Sequence, residues 1–156
     1  MEINHFISKN SNSPIAFQTR WEAPSNIALI KYWGKTEPQI PKNPSLSFTL
    51  SSSVTKTEVI FTPKSEASFD FEFSFEGVLK PDFHPKLNTF FERIKQYSPW
   101  LDSYSLKIDS SNSFPHSSGI ASSASGMSAL ALGIMSIEKA GNPTMSEAYF
   151  LKKASF

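Results

Sequence analysis

SSNSFPHSSGIASSASGMS, residues 110–128, lies between an alternating run (Tyr104, Leu106, Ile108) and a long segment at helical spacing. The alternation predicts a strand over residues 104–109. Residues 120–137, with Ala121, Ala124, Ala129 and Ala131, predict a helix small enough on one side to lie close against a sheet. Strand, Gly/Ser/Pro turn and helix, in that order, form a helix mouth whose unpaired N–H groups and dipole favour an anion. Serine hydroxyls add rotatable donors and can reach a metal ion. The stretch therefore reads as a polyphosphate cradle, although it contains neither G-x-x-x-x-G-K-[ST] nor G-x-G-x-x-G. The competing reading, on the segment alone, is an ordinary loop before a buried helix.

Outward from this segment the chain mixes strand and helix signals. Residues 17–22 predict a first strand ended at Ala23-Pro24, and Leu46, Phe48 and Leu50 a half-buried strand with residues 56–61 as its partner. Phe69, Phe71, Phe73 and Phe75 alternate with Asp70, Glu72 and Ser74, the clearest strand signal in the chain. Leu87, Phe90, Phe91 and Ile94 predict an amphipathic helix. Gly141-Asn142-Pro143 ends the long helix, and Thr144-x-x-Glu147 has capping-box spacing before a last one. Residues 1–16 read as a polar, poorly ordered arm. The last helix carries Tyr149, Phe150 and Leu151, needs something to dock on, and stops without a tail; we expect a longer parent protein.

Composition bounds the function. The 156 residues suffice for one domain with a core, and fourteen Phe argue against disorder. A net charge of +1 provides no electrostatic case for nucleic acid or an anionic membrane surface. No cysteine is present, which excludes disulfides, thiol catalysis and cysteine metal sites. No apolar run reaches membrane-spanning length and the first residues lack a secretory apolar core, so the cytoplasm is the expected compartment.

A second segment, residues 23–35 (APSNIALIKYWGK), sets Lys31 and Lys35 four apart beside Tyr32 and Trp33. Lysine acts on phosphate as a compact point charge, and Asn26 offers donor and acceptor. The competing reading is a core segment with two lysines reaching outward.

These blocks, with N-P-S-L-S-x-T-L (residues 43–50) and N-x-F-P-x-x-x-G-I-A-S-S-A-S-G (residues 112–126), resemble the diphosphomevalonate decarboxylase family in order and spacing. That family belongs to the superfamily of homoserine, mevalonate, phosphomevalonate and galactose kinases. The resemblance implies an α+β fold like ribosomal protein S5 domain 2, with residues 17–156 as an incomplete N-terminal, ATP-binding domain and no C-terminal domain. It implies ATP-dependent decarboxylation of (R)-5-diphosphomevalonate to isopentenyl diphosphate through 3-phosphorylation, with Mg2+. It implies a phosphate loop of Pro115, Ser117, Ser118, Gly119, Ala121, Ser122, Ser123 and Ala124, with Ser122 and Ser123 also toward the metal. On the substrate side it implies Asn26, Lys31, Tyr32 and Lys35, Lys31 supporting the chemistry. A homodimer is the assembly it suggests; neither nucleic acid nor membrane is an expected partner.

The departures are specific. His116, Ser117 and Ser118 replace the family's more usual Thr-Ala-Ala, and Pro44 replaces a serine. The family's carboxylate-binding arginine and catalytic aspartate find no counterpart before Phe156, so the fragment alone is expected to be inactive. The rival readings are a kinase of the same superfamily, such as a mevalonate 3-kinase, and a non-catalytic binding fragment.

Overall fold

The computed structural model describes residues 3–8, 13–37, 40–115 and 119–156. Its frame is a five-stranded mixed sheet of β1 (Phe17–Ile30), β4 (Leu46–Pro63), β7 (Tyr104–Asn112), β5 (Asp70–Phe75) and β6 (Val78–Leu79), in that spatial order. Two short strands, β2 (Lys35–Thr36) and β3 (Ile40–Pro41), pair within the β1–β4 connection. β4 is antiparallel to both β1 and β7, whereas β5 is parallel to β7. A parallel pair needs a long crossover. Here the chain passes through a 3-10 turn at Pro81–Phe83, α1 (His84–Lys95) and a second 3-10 turn at Pro99–Ser103. Helices α2 (Ser122–Gly141) and α3 (Glu147–Ser155) complete the α+β arrangement.

The core lies on one side of the sheet because the strands alternate. Val59 and Phe61 of β4 face Ile108 and Leu106 of β7, and Phe73 of β5 continues the layer. Leu87 and Phe91 of α1 and Leu130, Ile134 and Ile137 of α2 close over them. Each such apolar side chain contributes about 1.5–3 kcal/mol on burial. Gly133 brings α2 close: a Cβ there would stand 3.2 Å from Val59 Cγ2. The other face of the sheet carries Glu58, Glu72, Lys107 and Asp109, the polar half of the same alternation.

Several expectations meet a different structure. β1 does not stop at Ala23-Pro24 but runs on to Ile30. It is the outermost strand, and a register shift falls between Pro24 and Ser25, which is where a sheet tolerates a residue without N–H. Residues 46–50 and 56–61 are not partners; both belong to β4, whose neighbours are β1 and β7. The long helix begins at Ser122 rather than at Ile120. α3 is capped by Ser146, whose hydroxyl accepts from Tyr149 N at 3.2 Å, while the Thr144 hydroxyl donates to Asn142 Oδ1 at 2.7 Å. Within the segment read as a polar arm, Ile3–Phe6 forms a 3-10 turn and Phe6 is 2% exposed, its ring 4.8 Å from that of Phe156.

α3 docks on α2. Phe150 packs with Met135 and Met145, and Lys153 reaches both carboxylate oxygens of Glu138 at 2.8 Å. Tyr97 O accepts a further bond from Lys153 at 3.0 Å, and Trp100 Nε1 donates to Glu138 at 3.2 Å. Burial pushes the Lys153 ammonium below its ordinary pKa, against the opposing pull of Glu138. No helix among the described residues is long and apolar enough to cross a membrane.

Candidate functional site

The mouth of α2 is fixed from below by β7. Beyond Asn112, Ser113 N donates to Val54 O at 2.9 Å, its hydroxyl donates to Ser52 O at 3.1 Å and accepts from Val54 N at 2.9 Å. The loop that starts here is therefore tied to β4. Gly119 has φ +80° and Ala121 φ +57°, so the chain enters the helix through left-handed backbone. No side chain caps α2. The first hydrogen bond of the helix is Ala124 N to Ala121 O at 2.9 Å, so the Ser122 and Ser123 amides have no acceptor within the helix. Pro115, Gly119, Ala121, Ser123 and Ala124 are exposed and Ser122 is half-buried. His116, Ser117 and Ser118 lie outside the described residues.

Ser122 and Ser123 border a cavity between α1, α2 and the sheet. It leaves about 70 Å³ in which the centre of a water-sized sphere fits. Phe73, Phe75, Phe83 and Met127 give it apolar walls, and Lys86 stands at its edge. Its floor is polar because two cross-strand pairs of β4 and β7 turn inward there. Thr57 and Ser110 are directly opposite, their hydroxyls 2.8 Å apart. Thr55 faces Asn112, whose side-chain amide is hydrogen-bonded to Thr55 Oγ1 at 2.8 Å. The Thr55 and Ser125 hydroxyls lie 2.6 Å apart, and Ser125 donates to Ser122 O at 3.0 Å.

Lys31, Tyr32 and Lys35 group in the loop after β1. The Lys35 ammonium sits 5.4 Å from the centre of the Tyr32 ring. Asn43 clamps this loop: its Oδ1 accepts from Trp33 N at 2.7 Å and its Nδ2 donates to Lys31 O at 3.3 Å and to Pro44 O at 2.8 Å. Gly34 turns the chain at φ +85°, with Lys42 N bonded to its carbonyl at 3.1 Å. Asn26 lies further back on β1 and donates to Ser47 Oγ at 3.4 Å. The block is exposed, Trp33 to 81%.

The structure thus brings Ser122 and Ser123 to a cavity and holds the lysine block together. Sequence reasoning passed over Thr55, Thr57, Ser110 and Asn112 on the cavity floor, Lys86 at its edge, and the clamp Asn43. The signal for the floor lay in β4, where Thr55, Thr57, Val59 and Phe61 share one parity. Splitting the strand at residues 51–55 hid it. No cluster of three His, Cys, Asp or Glu that could hold a metal occurs among the described residues, so a cation here would draw on hydroxyls and ligand oxygens.

A mixed sheet covered on one side by helices, with a glycine- and serine-bearing turn opening the long helix onto a cavity, defines an α+β domain class. Within it, residues 23–152 match the family model of the diphosphomevalonate decarboxylase-like N-terminal domain, and the chain belongs to that family. It is 37% identical over 124 residues to the diphosphomevalonate decarboxylase of Gibberella zeae, covering 72% of this chain and 32% of that protein. The mevalonate diphosphate decarboxylase structure from Staphylococcus aureus superposes with a TM-score of 0.69 at 28% identity, over 90% of this chain and 41% of that one. A related structure in complex with MVAPP, AMPPCP and magnesium superposes with a TM-score of 0.68 at 32% identity, over 90% and 41% of the two chains. The chain spans about a third of the length of the curated relatives it matches.

Proposed function

We propose that this chain is the nucleotide-binding part of an ATP-dependent diphosphomevalonate decarboxylase, with ATP and Mg2+ as cofactors and (R)-5-diphosphomevalonate as substrate. The observation that carries the reading is the cavity bordered by Ser122 and Ser123 at the uncapped start of α2, in a chain whose relatives are decarboxylases of this name. The donors fit a nucleotide: the Ser122 and Ser123 amides at the start of α2 and the hydroxyls of the same two serines.

When bound, ATP supplies a phosphoryl group that converts the tertiary 3-hydroxyl into a good leaving group before CO2 departs. The chain's own residues hold and orient. Ser122 and Ser123 would hold the phosphates and Mg2+, and Pro115, Gly119, Ala121 and Ala124 would line the cradle, to which the sequence motif also assigns Ser117 and Ser118. Asn26, Lys31, Tyr32 and Lys35 hold the substrate's diphosphate, with Lys31 offsetting charge near the reacting carbon. The family's aspartate and arginine have no counterpart here, so the 156 residues bind without turning over. Cytoplasmic location, a homodimer, and the lack of nucleic-acid or membrane partners complete the reading.

Titration of the folded 156-residue chain with Mg2+ and ATP in a calorimeter tests it. Binding is expected, and Ser122→Ala is expected to weaken it about tenfold, the loss of one hydrogen bond to a charged group, with an unchanged circular-dichroism spectrum. A chain that binds no ATP, or a variant that binds as the wild type does, overturns the assignment. Formation of isopentenyl diphosphate by the chain alone overturns its inactivity.

A further inference from the structure

We infer that Asn43 is a positioning residue for the substrate's diphosphate: its side-chain amide holds the turn of Lys31, Tyr32 and Lys35 in one arrangement before the anion arrives. The inference rests on the substrate-side reading above. β1 ends at Ile30 and β2 begins at Lys35, so the main chain leaves the sheet between them. Asn43 supplies there what a neighbouring strand would. Its Oδ1 accepts from Trp33 N at 2.7 Å, and its Nδ2 donates to Lys31 O at 3.3 Å and to Pro44 O at 2.8 Å. All three partners are main-chain groups of fixed polarity. A flipped amide would set Nδ2 against an N–H and Oδ1 against two carbonyls, so only one orientation satisfies them.

A second closure acts on the same turn. Gly34, at φ +85°, offers its carbonyl to Lys42 N at 3.1 Å, and Lys35 pairs with Pro41 across β2 and β3. Inside the turn the Lys35 ammonium lies 5.4 Å from the centre of the Tyr32 ring. This order does not serve the core. Residues 31–35 are exposed, and among the described residues none of them belongs to either buried apolar cluster. The order has a use if one ligand must meet both ammonium groups together. Lysine is a point charge on a flexible stem and selects no geometry by itself, so the spacing of the two charges has to come from the backbone that carries them. A turn that orders only on binding loses conformational entropy at that moment, and one ordered beforehand avoids the loss. Two linked phosphoryl groups are the ligand class that two cations and the Tyr32 hydroxyl suit.

Two readouts on the 156-residue chain test this: affinity for (R)-5-diphosphomevalonate by calorimetry, and hydrogen exchange of the Trp33 amide by NMR, which reports whether the Asn43 bond is made. Asn43→Ala is expected to bind diphosphomevalonate about tenfold more weakly, to exchange the Trp33 amide at least about tenfold faster, and to keep its affinity for ATP with Mg2+. Asn43→Ser, whose single hydroxyl replaces only part of the clamp, is expected to fall between wild type and Asn43→Ala in both readouts. Faster exchange with undiminished diphosphomevalonate binding overturns the inference, because the clamp then positions nothing. Weaker binding with unchanged exchange also overturns it, because Asn43 then touches the ligand directly. An equal loss of ATP affinity overturns it as well, because the effect is then general. The comparison of wild type with Asn43→Ser decides the matter if Asn43→Ala does not fold. A wild type that binds no diphosphomevalonate overturns the substrate-side reading itself, a result distinct from a wild type and variants that bind it equally well.

Discussion

Ala121 holds a φ of +57° immediately before α2, where a Cβ meets the following carbonyl and costs roughly 1–2 kcal/mol. The residue is exposed, so its methyl group gains little by packing. Ala121→Gly is therefore expected to leave stability unchanged or raise it by up to about 1 kcal/mol, and Ala121→Val to lower it by more than about 1 kcal/mol, read from urea denaturation midpoints. Strain at this point is not visible in the sequence, where an alanine before a serine reads simply as helix; that is why the predicted start, at residue 120, fell two residues early. Asn112 was hidden for a related reason. An asparagine at the end of an alternating run reads as the start of a turn, and only the pairing with Thr55 shows that it faces inward.

At the scale of elements, α2 carries two interior glycines, Gly126 and Gly133, with opposite roles. A Cβ at Gly126 would meet nothing closer than Thr55 Cγ2 at 3.9 Å, whereas one at Gly133 would lie 3.2 Å from Val59 Cγ2 and 3.5 Å from Thr19 Cγ2. Gly126→Ala is expected to stabilise by about 0.5–1 kcal/mol through helix propensity. Gly133→Ala gains the same propensity but pushes on Val59, which is wholly buried and has nowhere to go, so a net loss of about 1 kcal/mol is expected. Thermal midpoints moving in opposite directions would establish the contrast; parallel shifts would refute it.

The junction of α3 with α2 makes a second test. Lys153→Met leaves the Glu138 carboxylate buried without its cation and is expected to cost about 3–5 kcal/mol. Adding Glu138→Gln removes the stranded charge while keeping an acceptor for Trp100, and should restore at least half of the loss in denaturant titrations. β5, β7 and the three helices were legible because each is a continuous periodic pattern. The extent of β1 and β4 was not. Pro24 and the serines at positions 51–53 are conventional breakers, and their local preference is overridden by an edge position and by pairing on a neighbouring strand. The lysine block and the serine loop were legible as motifs, but their relation in space was not, because it depends on β4 being one strand.

For the whole molecule, the decisive surface is the β1–β4 ribbon. β7 pairs with β4 only from Thr55 onward, and the stretch from Leu46 to Leu50 pairs with β1 alone. Ile27 stands opposite Phe48, and with Leu29 and Leu46 they expose an apolar face, Leu29 to 60%. Contiguous apolar surface of this kind drives association. The 156-residue chain is expected to show concentration-dependent sedimentation, and Leu29→Lys combined with Phe48→Lys to shift it toward monomer without changing stability by more than about 0.5 kcal/mol. β4 has one more consequence. Its residues from Leu46 to Thr57 lead from the foot of the lysine loop to the floor of the cavity, a span gauged at about 3.3 Å per residue. One codon gained or lost between Leu46 and Thr55 would do more than change that span: it would swap inner and outer parity along the rod and point either the hydroxyl floor or the lysine end the wrong way. The strand is the molecule's ruler, and its length in residues is itself a feature of the site.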